Sequence, residues 1–206
     1  MADDSYRTIR ERTSVSFEVR GSTFIGHIVP VETVDAAESF IAEIETAYDD
    51  ATHNVPAYRV RADPFREWAS DDGEPTGSAG KPALNVLQGQ ELENVAVVVT
   101  RYFGGTKLGI GGLVRSYSRA VNEAVDRAGI VERRPRERFT IVVEYDDAGT
   151  VRGILESERS AGVTFTATYD VDVRFEVVVP AAEEAALWNR LQGATSGRVR
   201  RGSRVE

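Results

Sequence analysis

The sequence contains no cysteine, which excludes disulfides, thiolate metal sites and cysteine nucleophiles. Its two histidines, His27 and His53, are too few for a histidine-rich metal cage. Lysine is as scarce: 23 of the 25 basic residues are arginine, and the lysines are Lys81 and Lys107 alone. No apolar run approaches the roughly 20 residues of a membrane-spanning helix, so no membrane role is expected. The acidic start, Met1-Ala-Asp-Asp, lacks the basic-then-apolar order of a signal peptide. These absences predict a cytoplasmic protein with no metal and no cofactor. A net charge of −8 over 206 residues also argues against generic nucleic-acid binding, because phosphate affinity comes mainly from basic side chains. Sequence-specific DNA binding is therefore not expected, although a local basic patch can override the average. Two readings of this composition stay open: adaptation to concentrated salt (a halophilic host), and a GC-rich genome that favours arginine.

Glycine, by contrast, is concentrated. Nine of the 18 glycines and both lysines fall between Gly73 and Gly112. Glycine at that density is entropically costly unless the backbone must turn tightly or approach something closely. The stretch has two loops. The first, 70–80, is acidic, with Asp71, Asp72 and Glu74. The second, 103–112, follows the β-branched run Val95–Tyr102, which reads as a buried strand, and the loop leads into a helix from about Gly112 to Ala128 that stops at Gly129. No acid occurs from Val95 to Asn122, whereas Arg101, Lys107, Arg115 and Arg119 do. A helix start exposes unpaired N–H groups and binds anions readily. Arg101, Gly104, Gly105, Lys107, Gly109, Gly111, Gly112 and Arg115 are therefore the candidate anion or ligand site, and the plainer alternative is glycine used only for close packing.

Known phosphate fingerprints fail here: counted from Gly109 and Gly111, the sixth position is Val114, and Gly80-Lys81 is followed by Pro82. Asp71, Asp72 and Glu74 can hold Mg²⁺ or supply a general base, or they can cap turns and balance the basic loop. His53, Arg59 and Lys81 are further candidates. No catalytic residue is assignable.

Before the glycine-rich stretch, residues 5–31 read as paired strands and Thr33 as the cap of a helix to about Tyr48, followed by strands at 55–61 and 66–69. The charged, proline-interrupted Glu132–Arg136 has the composition of a linker. Beyond it the pattern is strand 137–145, helix 148–159, strands 163–169 and 171–179, helix 181–192 and strand 197–205, the βαββαβ order of a ferredoxin-like domain. The chain thus divides at 133/134 into two α+β domains.

The wording of the first domain is distinctive. Ala51-Thr-His-Asn, Tyr58-Arg59, Ser70-Asp-Asp-Gly-Glu-Pro75, Gly80-Lys-Pro82, Val99-Thr-Arg-Tyr-Phe-Gly-Gly105, Lys107-Leu-Gly and Gly111-Gly-Leu-Val-Arg-Ser-Tyr117 resemble the IMPACT/YigZ family over about residues 15–130. Residues 134–206 look like the small second domain of its prokaryotic two-domain form, which is similar to an elongation-factor domain. The resemblance implies an N-terminal domain like the second domain of small-subunit ribosomal protein five, a βαβ-containing sheet with helices on one side. Eukaryotic relatives regulate translation initiation under amino-acid stress and bind actin, with an additional N-terminal domain; this sequence begins directly at the shared one. The expected function is a non-enzymatic regulator linked to translation and stress response, binding RNA, the ribosome or a translation factor through the glycine-rich cleft. The alternatives are a Mg²⁺-dependent enzyme acting on a small phosphorylated metabolite, and a protein-binding module without a ligand site. The sequence leaves the oligomeric state open.

Overall fold

The computed structural model describes residues 5–202, which fall into two compact units divided along the chain at 133/134. In the first, a five-stranded antiparallel sheet has the order β2 (Thr13–Val19), β3 (Ser22–Pro30), β6 (Val95–Tyr102), β4 (His53–Val60) and β5 (Arg66–Ala69). Strands β3 and β4 run the same way on either side of β6, so the helix joining them, α1 (Val34–Ala47), completes a split βαβ unit. Thr33 caps that helix as expected, its hydroxyl accepting the Ala36 N–H at 3.1 Å.

The helices do not share one side of this sheet. Val95, Val97 and Val99 pack with α2 (Gly80–Gly89) and α3 (Ile110–Ala128), whereas Ala96 and Val98 pack with Phe40, Ile41 and Ile44 of α1. Successive side chains of a strand point to opposite faces, so an unbroken apolar run such as Val95–Val99 requires cover on both. Where the resemblance implied a single helical face, the central strand demands two.

The first strand, β1 (Tyr6–Ile9), also departs from expectation. It pairs with β7 (Ile130–Arg133) in a separate two-stranded ribbon rather than with β2. Part of the supposed linker is therefore strand, and only Arg134 and Pro135 separate β7 from β8 (Arg136–Val143).

In the second unit, α4 (Tyr145–Ser157) and α5 (Ala181–Ala194) cover one face of a four-stranded sheet ordered β11 (Arg200–Arg201), β8, β10 (Val173–Pro180), β9 (Thr164–Tyr169). This is the antiparallel 4-1-3-2 arrangement of a ferredoxin-like domain, with Phe139, Ile141, Phe175, Val177, Leu155 and Leu191 buried at its centre. The last strand is short; the expected extension to residue 205 runs outside the described residues.

Candidate functional site

Each of the three acidic-loop carboxylates meets donors of this chain. Asp71 accepts N–H groups from Gly77 (2.8 Å), Ala79 (3.1 Å) and Gly80 (2.8 Å), so it satisfies the start of α2. Burial pushes its carboxyl up, but those three backbone donors outweigh burial and hold it below the usual carboxylate range. Asp72 accepts the Asn54 N–H at 2.6 Å, and its carbonyl accepts from His53 Nδ1 at 2.6 Å. Glu74 is buried, and its Oε1 accepts from Arg101 (2.5 Å) and from the Tyr117 hydroxyl of α3 (2.8 Å). Burial, then the neighbouring Glu74 carboxylate, push the Tyr117 phenol far above its ordinary range. Among the described residues no three His, Asp or Glu side chains gather as a metal site, and the internal duties of Asp71 and Glu74 leave no open carboxylate triad for Mg²⁺.

The two loops do meet, but through an ion pair. Arg101 is 5 % exposed, lies against Phe24 and Phe103, and is committed to Glu74. It is therefore not an open ligand for an anion, as the charge count had suggested. Arg119 is also compensated, by Glu123 at 2.6 Å, an acid one residue beyond the acid-free window.

The basic loop is held by its neighbours. Phe103 N–H donates to the Thr52 hydroxyl and Gly104 N–H to the Ser22 hydroxyl. A Cβ at Gly104 would lie 1.9 Å from the Gly21 backbone, so this position tolerates only glycine without movement. Gly105 and Gly109 turn through positive φ, and Gly109 precedes α3 with no side-chain cap. The first turn of α3 thus exposes N–H groups at Ile110, Gly111 and Gly112 with no acid nearby in sequence, the opposite of the start of α2.

Beside this turn is a pocket of about 280 Å³ lined by Val19, Arg20, Leu108, Gly112, Arg115, Ser116 and Arg119. Arg115 lies over the first turn, its guanidinium 3.5 Å from where a Gly111 Cβ would stand. Arg20, Lys107 and Arg115 have no acidic partner among the described residues. Arg20 and Arg119 were not among the site residues expected from sequence. Arg20 sits in the β2–β3 turn itself, far along the chain from Leu108 and Gly112 that line the same pocket, and no local pattern signals that approach. Arg59 and Lys81 lie elsewhere: Arg59 binds Glu67 and the Leu92 carbonyl, and Lys81 is exposed on the first turn of α2.

The family models that match this chain are the Impact N-terminal domain, over residues 20–125, and a domain of unknown function, DUF1949, over residues 141–198. IMPACT family member YvyE of Bacillus subtilis is 36% identical over 194 residues, 94% of this chain and 88% of that protein. IMPACT family member YigZ of Escherichia coli is 32% identical over 182 residues, 87% of this chain and 88% of that protein. A crystal structure described as that of a hypothetical protein shares 30% identity and a TM-score of 0.71, covering 98% of both chains. The two domain models matched in order along this chain, with relatives 32–36% identical over 87–94% of it, show that this protein belongs to the IMPACT family.

Proposed function

We propose that this protein is a non-enzymatic, cytoplasmic regulator linked to translation, and that it engages RNA, free or within the ribosome, through the basic pocket at the start of α3. The translation link rests on membership of the IMPACT family. The choice of an anionic partner rests on one observation: Arg20 and Arg115, neither with an acidic partner among the described residues, line one pocket beside an uncapped helix start, in a chain of net charge −8. Guanidinium groups match phosphate geometry bidentately, and the exposed helix N–H groups add donors of the same sense. Lys107, on the loop that precedes the helix, supplies a further charge. Arg101 acts behind this surface by holding the two loops together.

The experiment is fluorescence anisotropy with a labelled single-stranded RNA, comparing the natural protein with Lys107→Ala and Arg115→Ala. Each substitution should weaken binding across sequences rather than alter preference, since phosphate contacts carry no base information. Undiminished binding in both variants would remove the pocket from the proposal. A second reading, a translation factor as partner, is favoured by Phe103 and Ile110, which are 45% and 65% exposed on the same loop. Binding to a protein partner that is insensitive to salt and lost on Ile110→Asp would select that reading.

A further inference from the structure

One side chain of the α3 pocket has no role in a general attraction for phosphate. Ser116 is 4% exposed, yet it lines the pocket, and its hydroxyl has no hydrogen-bond partner among the described residues. A hydroxyl donates one hydrogen bond and accepts others, and buried ones are normally satisfied. The Ser78 hydroxyl is also without a partner, but it is sealed in the interior. That of Ser116 instead opens on a space of about 280 Å³. A single water, whose share of the liquid is roughly 30 Å³, fills a small part of it.

The pocket follows one face of α3, since Gly112, Arg115, Ser116 and Arg119 have the i, i+3, i+4, i+7 spacing. Donors gather at its N-terminal end. Gly112 belongs to the first turn, where N–H groups lack an intrahelical acceptor. Arg20 and Arg115 are exposed there, Ser116 is buried beside them, and no carboxylate lines the pocket. Two unpaired guanidinium groups and a hydroxyl suit a phosphate monoester, which carries about −1.5 to −2 charge at neutral pH and three acceptor oxygens. A phosphodiester inside a strand has less charge and fewer free oxygens to offer them. At the other end of the pocket, roughly 10 Å along the helix from Gly112, Arg119 lies over the Phe17 ring at 4.0 Å and is held by Glu123. A guanidinium fixed in this way is a platform on which a base stacks. The volume is at the low end for small-ligand pockets, which run from roughly 300 Å³ upward, and so suits one nucleotide rather than a length of strand.

We propose that the pocket receives a terminal nucleotide by its phosphate monoester, with the phosphate on Arg20, Arg115 and the Ser116 hydroxyl and the base on Arg119. The proposal rests on the reading of this pocket as an RNA site and adds that the group recognised is an end, not an internal phosphodiester. A free nucleoside monophosphate offers the same chemistry, and the experiment separates the two sources.

The test is fluorescence anisotropy of the full chain with one single-stranded RNA, labelled at its 3′ end and carrying either a 5′-phosphate or a 5′-hydroxyl, at constant ionic strength. The phosphorylated RNA should bind about tenfold tighter or more, the usual gain from hydrogen bonds to a charged group. Ser116→Ala should bring that ratio close to one. If Ser116→Ala does not fold, Arg115→Gln, an exposed change beside it, decides by the same ratio. Calorimetric titration with adenosine 5′-monophosphate, with adenosine as the control, separates the sources. Saturable binding of the monophosphate alone means that a free nucleotide suffices, whereas a preference for the phosphorylated RNA without it assigns an RNA end. Equal affinity for the two RNAs and no binding of the monophosphate would overturn the proposal and leave the RNA reading standing. A ratio undiminished in both variants would place the phosphate elsewhere and overturn it as well. If neither RNA binds but the monophosphate does, the RNA reading fails and the monoester site stands.

Discussion

Glu74 illustrates why an acid in a glycine-rich loop is hard to interpret from sequence. Three carboxylates within four positions suggest a metal site, yet one caps a helix, one fixes a turn, and Glu74 enters the interior to meet Arg101 and Tyr117. Breaking such a buried pair leaves a charge without solvent or partner. Arg101→Leu should therefore destabilise the protein by about 3–5 kcal/mol, and Tyr117→Phe by about 1–2 kcal/mol, measured by urea unfolding. His27 is 2% exposed, with Nδ1 2.9 Å from the Ser14 hydroxyl. Burial, then the nearby Arg12 charge, pull its pKa from 6.5 down to about 4. Above 6.5 the ring is neutral whether the chain is folded or not. Between 6.5 and about 4 the unfolded chain binds a proton that the folded one refuses, so stability falls as the pH falls. Urea midpoints at pH 7.5 and pH 5 should show this loss in the natural protein and a smaller one in His27→Gln; equal losses would contradict it.

Strands and helices were more legible than single side chains. Thr33 as a cap, Gly129 as a stop, and the β6–α3 unit follow from local chemistry that tertiary packing did not override. The β1–β7 ribbon did not follow, because four-residue strands separated by over a hundred residues carry no local signal for pairing. Arg20 escaped notice for the same reason. The second helical face was legible in principle, since the continuous apolar run at Val95–Val99 has no polar side to leave in water. The glycines have two different roles, and substitution should separate them. At Gly26 a Cβ would stand 2.6 Å from the Ala120 carbonyl of α3, so Gly26→Ala must push that helix from the sheet and lower the melting temperature. At Gly149, inside α4, a Cβ meets nothing within 4 Å, so Gly149→Ala should stabilise by about 0.5–1 kcal/mol. A loss of stability at Gly149 would point to a use for that bare helical surface.

Taken whole, the molecule is acidic overall but basic at one pocket. The scarcity of lysine and the surplus of acids suggest a protein that works in concentrated salt. If so, its melting temperature should rise as KCl goes from 0.1 M to about 2 M, since screening relieves the repulsion among like surface charges; a flat response would leave genome composition as the explanation. The same screening acts in the opposite direction on the pocket, where each phosphate contact releases counterions when it forms. The most direct measurement is the slope of log Kd against log KCl for a single-stranded RNA, in the natural protein and in the Arg20→Ala/Arg115→Ala double variant. Binding should weaken with salt in the natural protein, and the double variant should bind more weakly with a slope shallower by about 0.7 for each lost phosphate contact. Identical slopes and affinities in the two proteins would show that the pocket at the start of α3 does not bind the RNA.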